Sequence, residues 1–79
     1  MTVTVLYFAK VRSTLGTSRE TFPHCNTVAD LVDKIVVAHP AISEMLKICA
    51  FSVNEVYVDA TQSLKDGDVV GIIPPVAGG

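Results

Sequence analysis

The sequence predicts a small α+β domain in which one main helix packs across a mixed sheet, and three observations carry that expectation. Apolar and β-branched residues alternate near both ends of the chain, an amphipathic helical stripe lies between them, and 79 residues leave room for a single core only. The chain carries 6 Lys and Arg against 8 Asp and Glu, with 49% hydrophobic and 18% charged residues. That charged share lies below the ~25% usual for globular domains, so some apolar side chains are expected to stay on the surface as a protein contact face.

The opening strand spans Thr2 to Ala9, with Val3, Val5 and Tyr7 on one parity and Leu6 and Phe8 on the other. Lys10 to Gly16 reads as a turn or short helical connection, and Arg19 to Phe22 as a second strand stopped by Pro23. Together the two strands read as a hairpin. The main helix starts at Thr27, where Thr27-Val28-Ala29-Asp30 sets an acid three residues after a hydroxyl, a near-match to a capping box. Val28, Leu31, Val32, Ile35 and Val36 form its apolar stripe, and Asp30 and Lys34 are spaced to pair across one turn. The ring of Pro40 excludes His39 from helical geometry and ends the helix, and a short helical segment follows around Ile42 to Lys47. Ile48 to Val53 and Val56 to Val58 read as strands joined at Asn54-Glu55, and Asp66-Gly67-Asp68 turns into a last strand, Val69 to Ile73. This order of elements is compatible with a β-grasp, the ubiquitin-like fold: a body over 1–73 and an extended, flexible C-terminal Gly-Gly tail over 74–79.

Several function classes lack support. Six scattered cations give no basic stripe for nucleic acid, and no apolar run approaches the ~20 residues of a membrane span. The first residues lack the basic start and apolar core of a signal peptide, so the expected location is the cytoplasm. Cys25 and Cys49 form no CxxC and have no metal-ligand spacing, so no metal is expected. Cys49 reads as a small buried hydrophobe and Cys25 as an exposed thiol, with activation of Cys25 by His24 as the sharper alternative. Asp66 and Asp68 are explained by turn chemistry, and His24 and His39 read as surface or capping residues.

The most informative segment is Pro74-Pro75-Val76-Ala77-Gly78-Gly79. Two prolines cannot continue a ladder and favour stiff polyproline geometry, so the tail is expected to leave the body in a defined direction. Gly78 and Gly79 remove every side chain near the terminal carboxylate, letting a narrow channel close around backbone alone. A frayed terminus is the plain alternative.

Phe51-Ser52-Val53-Asn54-Glu55, Leu64-Lys65-Asp66-Gly67-Asp68-Val69-Val70 and Ile73-Pro74-Pro75-Val76-Ala77-Gly78-Gly79 together resemble the small, sulfur-carrying subunit of molybdopterin synthase. Leu6-Tyr7-Phe8-Ala9-Lys10-Val11-Arg12 and Thr27-Val28-Ala29-Asp30-Leu31 extend the resemblance across the chain. Glu55 departs from it, standing where relatives often carry glycine. The resemblance implies that Gly79 is the working group, adenylated by an E1-like enzyme that consumes ATP and then converted to a thiocarboxylate. It further implies that a large catalytic subunit takes Gly78, Ala77, Val76 and Pro75 into its active site, in a heterotetramer. There sulfur passes to cyclic pyranopterin monophosphate, with no cofactor bound permanently to this chain and no catalysis by it alone. Phe8, Ile73, Pro74 and Arg12 are the expected partner interface, with a solvated loop cation as the alternative for Arg12. The competing readings are a carrier for thiamine or tRNA thiolation, a ubiquitin-like modifier, and a passive binding domain.

Overall fold

A computed structural model describes residues 1–75; the tail positions Val76, Ala77, Gly78 and Gly79 lie outside the described residues. Five strands, β1 (Thr2–Tyr7), β2 (Arg19–Pro23), β3 (Ala50–Val53), β4 (Val56–Val58) and β5 (Val69–Ile73), form one sheet in the order β2-β1-β5-β3-β4. β1 and β5 run parallel and the other pairs antiparallel, which is the mixed β-grasp sheet. The helices are α1 (Ala9–Leu15), α2 (Val28–Ala38) and the single turn α3 (Ser43–Leu46). No helix among the described residues is long and apolar enough to cross a membrane.

Helix α2 forms where the stripe placed it. Thr27 Oγ1 accepts from the Asp30 amide at 3.2 Å while Asp30 Oδ2 accepts from the Thr27 amide at 3.2 Å, so both halves of the capping box are present. Val28, Leu31 and Ile35 are fully buried, and they join Val3, Val5, Tyr7, Val70 and Ile72 in one core between helix and sheet.

The connection after β1 takes the short helical form the sequence allowed, seven residues with Val11 buried and closed by Gly16 at φ +74. Three local expectations change. Helical geometry resumes at Pro40 itself, as a 3₁₀ turn over Pro40–Ile42, because proline's fixed φ suits a first helical position. Lys34 does not pair with Asp30. Its Nζ donates instead to the carbonyl oxygens of Pro23 and, at 3.1 Å, His24, while Asp30 Oδ2 accepts from the Asn26 and Thr27 amides. Cys25 is fully buried rather than exposed. Its thiol is pushed up by burial, the opposite of what activation by His24 requires.

A polar cluster joins β1, β2 and the end of α2. The Tyr7 hydroxyl donates to Glu20 Oε1 at 2.6 Å, and His39 Nε2 lies 2.8 Å from the same oxygen. Burial, then the Glu20 carboxylate, raise the Tyr7 phenol above its ordinary value of 10.0. An unfolded tyrosine releases its proton near that ordinary value, whereas folded Tyr7 keeps its own. The unfolded state therefore binds fewer protons at high pH, and stability is lost as pH rises through and beyond 10. Denaturant titrations are expected to show a fall of up to ~1.4 kcal/mol per pH unit there, absent in Tyr7→Phe. Equal slopes in the two proteins would contradict the assignment.

Candidate functional site

β5 carries the chain toward its tail, and its position decides what surrounds that exit. It is the central strand, paired with β1 on one side and β3 on the other. Val70 and Ile72 point into the core at 0% exposure, so the alternation of a strand puts Val69, Gly71 and Ile73 on the opposite, open face. Ile73 forms the last ladder pair, with Ala50. Pro74 and Pro75 have no amide hydrogen to continue the ladder, and the strand ends. Pro74 is buried against the chain itself and Pro75 is exposed.

On the open face one row of residues crosses the sheet. Leu6 is paired with Gly71, Gly71 with Ser52, and Ser52 with Tyr57. A Cβ at position 71 would fall 2.5 Å from Ser52 Oγ, 3.3 Å from Phe8 Cε2 and 3.6 Å from Ile73 Cδ1. A side chain there would force the Ser52 hydroxyl aside, so glycine suits this close approach of β3 to β5, and the space above it is filled by Ser52 and Phe8. Gly71 and Phe8 line an open groove of about 370 Å³ together with Leu6, Ser52, Asn54, Glu55 and Val69.

Of the four residues expected at a partner interface, Phe8 and Ile73 converge on Gly71, with Phe8 39% exposed. Arg12 lies one helical turn beyond Phe8 and is exposed. Pro74 is the one whose surface the fold already covers. Pro75 is exposed at the tail's base, and the remaining tail positions lie outside the described residues. Sequence reasoning missed Gly71 and Ser52. A glycine inside the apolar run Val69-Val70-Gly71-Ile72-Ile73 was the available signal, since such a residue marks close approach. The other exposed apolar side chains, including Val37, Ile48, Val56 and Tyr57, are spread over α2, the α3–β3 connection and β4.

Turn chemistry accounts for the acids between β4 and β5. Asp66 Oδ1 accepts from the Thr2 amide at 2.7 Å, and Asp68 Oδ2 accepts from the Lys65 amide at 2.8 Å. Among the described residues no group of three or more His, Cys, Asp or Glu side chains could hold a metal ion.

A model of the ThiS family matches residues 5–79. The chain belongs to the ThiS family. Among ThiS-like relatives, the molybdopterin synthase sulfur carrier subunit of Chlamydomonas reinhardtii is 43% identical, with 100% of each chain covered. A chain in the complex of subunits 1 and 2 of the molybdopterin-converting factor from Helicobacter pylori 26695 superposes with a TM-score of 0.75 at 30% identity, again with 100% of each chain covered. SAMP1 from Haloferax volcanii superposes with a TM-score of 0.89 over 100% of both chains, and at 24% identity it shows the shared ubiquitin-like fold alone.

Proposed function

We propose that this chain is the sulfur carrier subunit of a molybdopterin synthase, a cytoplasmic protein whose Gly79 carries sulfur as a thiocarboxylate. The observation that carries the reading is the end-to-end match, at 43% identity, to a relative of that name. The geometry supports it. The site is a strand end issuing from the sheet centre beside an open face that carries Leu6, Phe8, Val69 and Gly71.

The chemistry follows from the carboxylate. A free carboxylate is a poor electrophile, so an E1-like enzyme first joins Gly79 to AMP, using ATP and releasing pyrophosphate. A sulfur donor then displaces AMP and leaves the thiocarboxylate. In the large subunit that sulfur attacks cyclic pyranopterin monophosphate, and two loaded carriers supply the two sulfurs of each dithiolene. The complete synthase is a heterotetramer of two small and two large subunits. Glycines at 78 and 79 let the large subunit enclose the reacting end.

The direct test is product formation by thiocarboxylated carrier mixed with the large subunit and cyclic pyranopterin monophosphate. The reading expects molybdopterin at half the amount of carrier consumed. No product, with a large subunit shown to work with its own carrier, would overturn it. A thiamine or tRNA thiolation carrier would fail here yet still accept sulfur, whereas a ubiquitin-like modifier would form lysine conjugates.

A further inference from the structure

Charge is unevenly distributed along the chain. Residues 1–19 contain Lys10, Arg12 and Arg19 and no acid, whereas all 8 Asp and Glu lie from Glu20 onward, against Lys34, Lys47 and Lys65. The fold brings this acid-free segment to the end of β5 from which the tail leaves. Tyr7 pairs with Ile72 in parallel register, so Phe8 and the start of α1 stand beside Ile73, about one strand spacing of 4.8 Å away. Arg12 follows Phe8 by one helical turn, roughly 6 Å. Arg19 pairs with Leu6, and Leu6 with Gly71, which sets Arg19 roughly 10 Å from β5 across the sheet.

The strands carry charge at Arg19 and Glu20 alone. Glu20 points to the core side, where Tyr7 and His39 hold its carboxylate, so Arg19 is the charged strand residue on the open face. Lys10, Arg12 and Arg19 are all exposed, and among the described residues the ion pairs are His39–Glu20 and Lys47–Glu44, neither of which uses them. The other acids leave them uncompensated. Asp59 follows β4, three strands across the sheet from β1, while Asp66, Asp68 and Glu55 gather at the opposite end of β5, beside Thr2 and Val69. The domain is therefore positive at the tail exit and negative at the far end.

A protein that encloses the tail must also cover this corner. An interface of ~800 Å² per partner is roughly a disc 16 Å in radius, and the backbones of all three cations lie within roughly 12 Å of Ile73. We infer that Lys10, Arg12 and Arg19 form an electrostatic docking corner that meets an acidic patch on the large synthase subunit and turns this chain tail-first toward it. The inference rests on the sulfur-carrier reading, which places Arg12 at the interface and leaves Lys10 and Arg19 without a role. Charges at an interface rim act mainly on association rate and its salt dependence, and a separation of charge orients the encounter.

The test is the association rate of the full chain with surface-immobilised large subunit, at two salt concentrations, for wild type, Lys10→Glu, Arg19→Glu, their double variant and Lys65→Glu, with thermal melts of each. Lys65 is exposed at the opposite end of β5, so its reversal changes net charge equally and leaves the corner intact. Each single reversal at the corner is expected to slow association about fivefold at low salt and the double at least about twentyfold, with both differences shrinking at high salt. Lys65→Glu is expected to stay within twofold of wild type. All melting temperatures are expected to agree within about 3 °C, because the side chains are exposed. Should the double variant melt lower, the single variants decide. Corner variants that associate within twofold of wild type, or equal slowing by Lys65→Glu, would overturn the proposal and leave the carrier reading standing. Failure of wild type to bind the large subunit would overturn both.

Discussion

Deleting Gly79 is expected to abolish sulfur loading and molybdopterin formation, to the level of a reaction without carrier, while the melting temperature stays within about 1 °C of wild type. The two halves of this result come from different parts of the chain. The reacting atoms in the proposed chemistry are the terminal carboxyl of Gly79, and an Ala-Gly end one residue shorter cannot reach the same adenylation geometry. A near-attack arrangement tolerates displacements of less than ~1 Å, whereas a missing residue withdraws the carboxyl by about 3.3 Å. The fold is built elsewhere, from a core that runs from Val3 to Ile72. Circular dichroism melts beside a loading assay check both halves, and a loaded, active deletion variant would contradict the assignment of Gly79.

Leu31→Ala is expected to be the opposite case, losing the fold before the chemistry. Leu31 sits mid-way along α2 at 0% exposure, within the core that also holds Val5, Tyr7 and Ile72. Truncating such a leucine costs about 2–5 kcal/mol, through lost burial and the cavity left behind. A domain of this size has a total stability of only roughly 4–12 kcal/mol. Its melting temperature is expected to fall by at least about 10 °C. Any fraction that remains folded is expected to accept sulfur normally, because the helix lies on the face of the sheet away from Gly71. A melting temperature within a few degrees of wild type would show that α2 does not pack as described.

These two variants separate the parts of the chain that sequence pattern reads well from those it does not. Helix α2 was legible because its apolar spacing and capping box are local, and the structure repeats both. β5 was legible from its apolar run and from the prolines behind it. Contacts made by topology were not. Tyr7, Glu20 and His39 meet because β2 folds back on β1 and α2 ends beside them, and nothing local in the sequence announces a shared oxygen. Lys34 found backbone carbonyls at the His24 corner, where φ is +54, instead of the acid one turn away. Cys25 lies between polar neighbours, yet the chain turns its side chain into the core. The groove is of the same kind. Gly71, Ser52 and Phe8 come from three elements, and only the sheet order brings them together.

The measurement closest to the central claim is the intact mass of the chain after incubation with an E1-like activating enzyme and a sulfur donor, with and without ATP. The account predicts an ATP-dependent gain equal to replacing one oxygen by sulfur, mapped to Gly79. No gain, with an enzyme shown to load a known carrier, would contradict it.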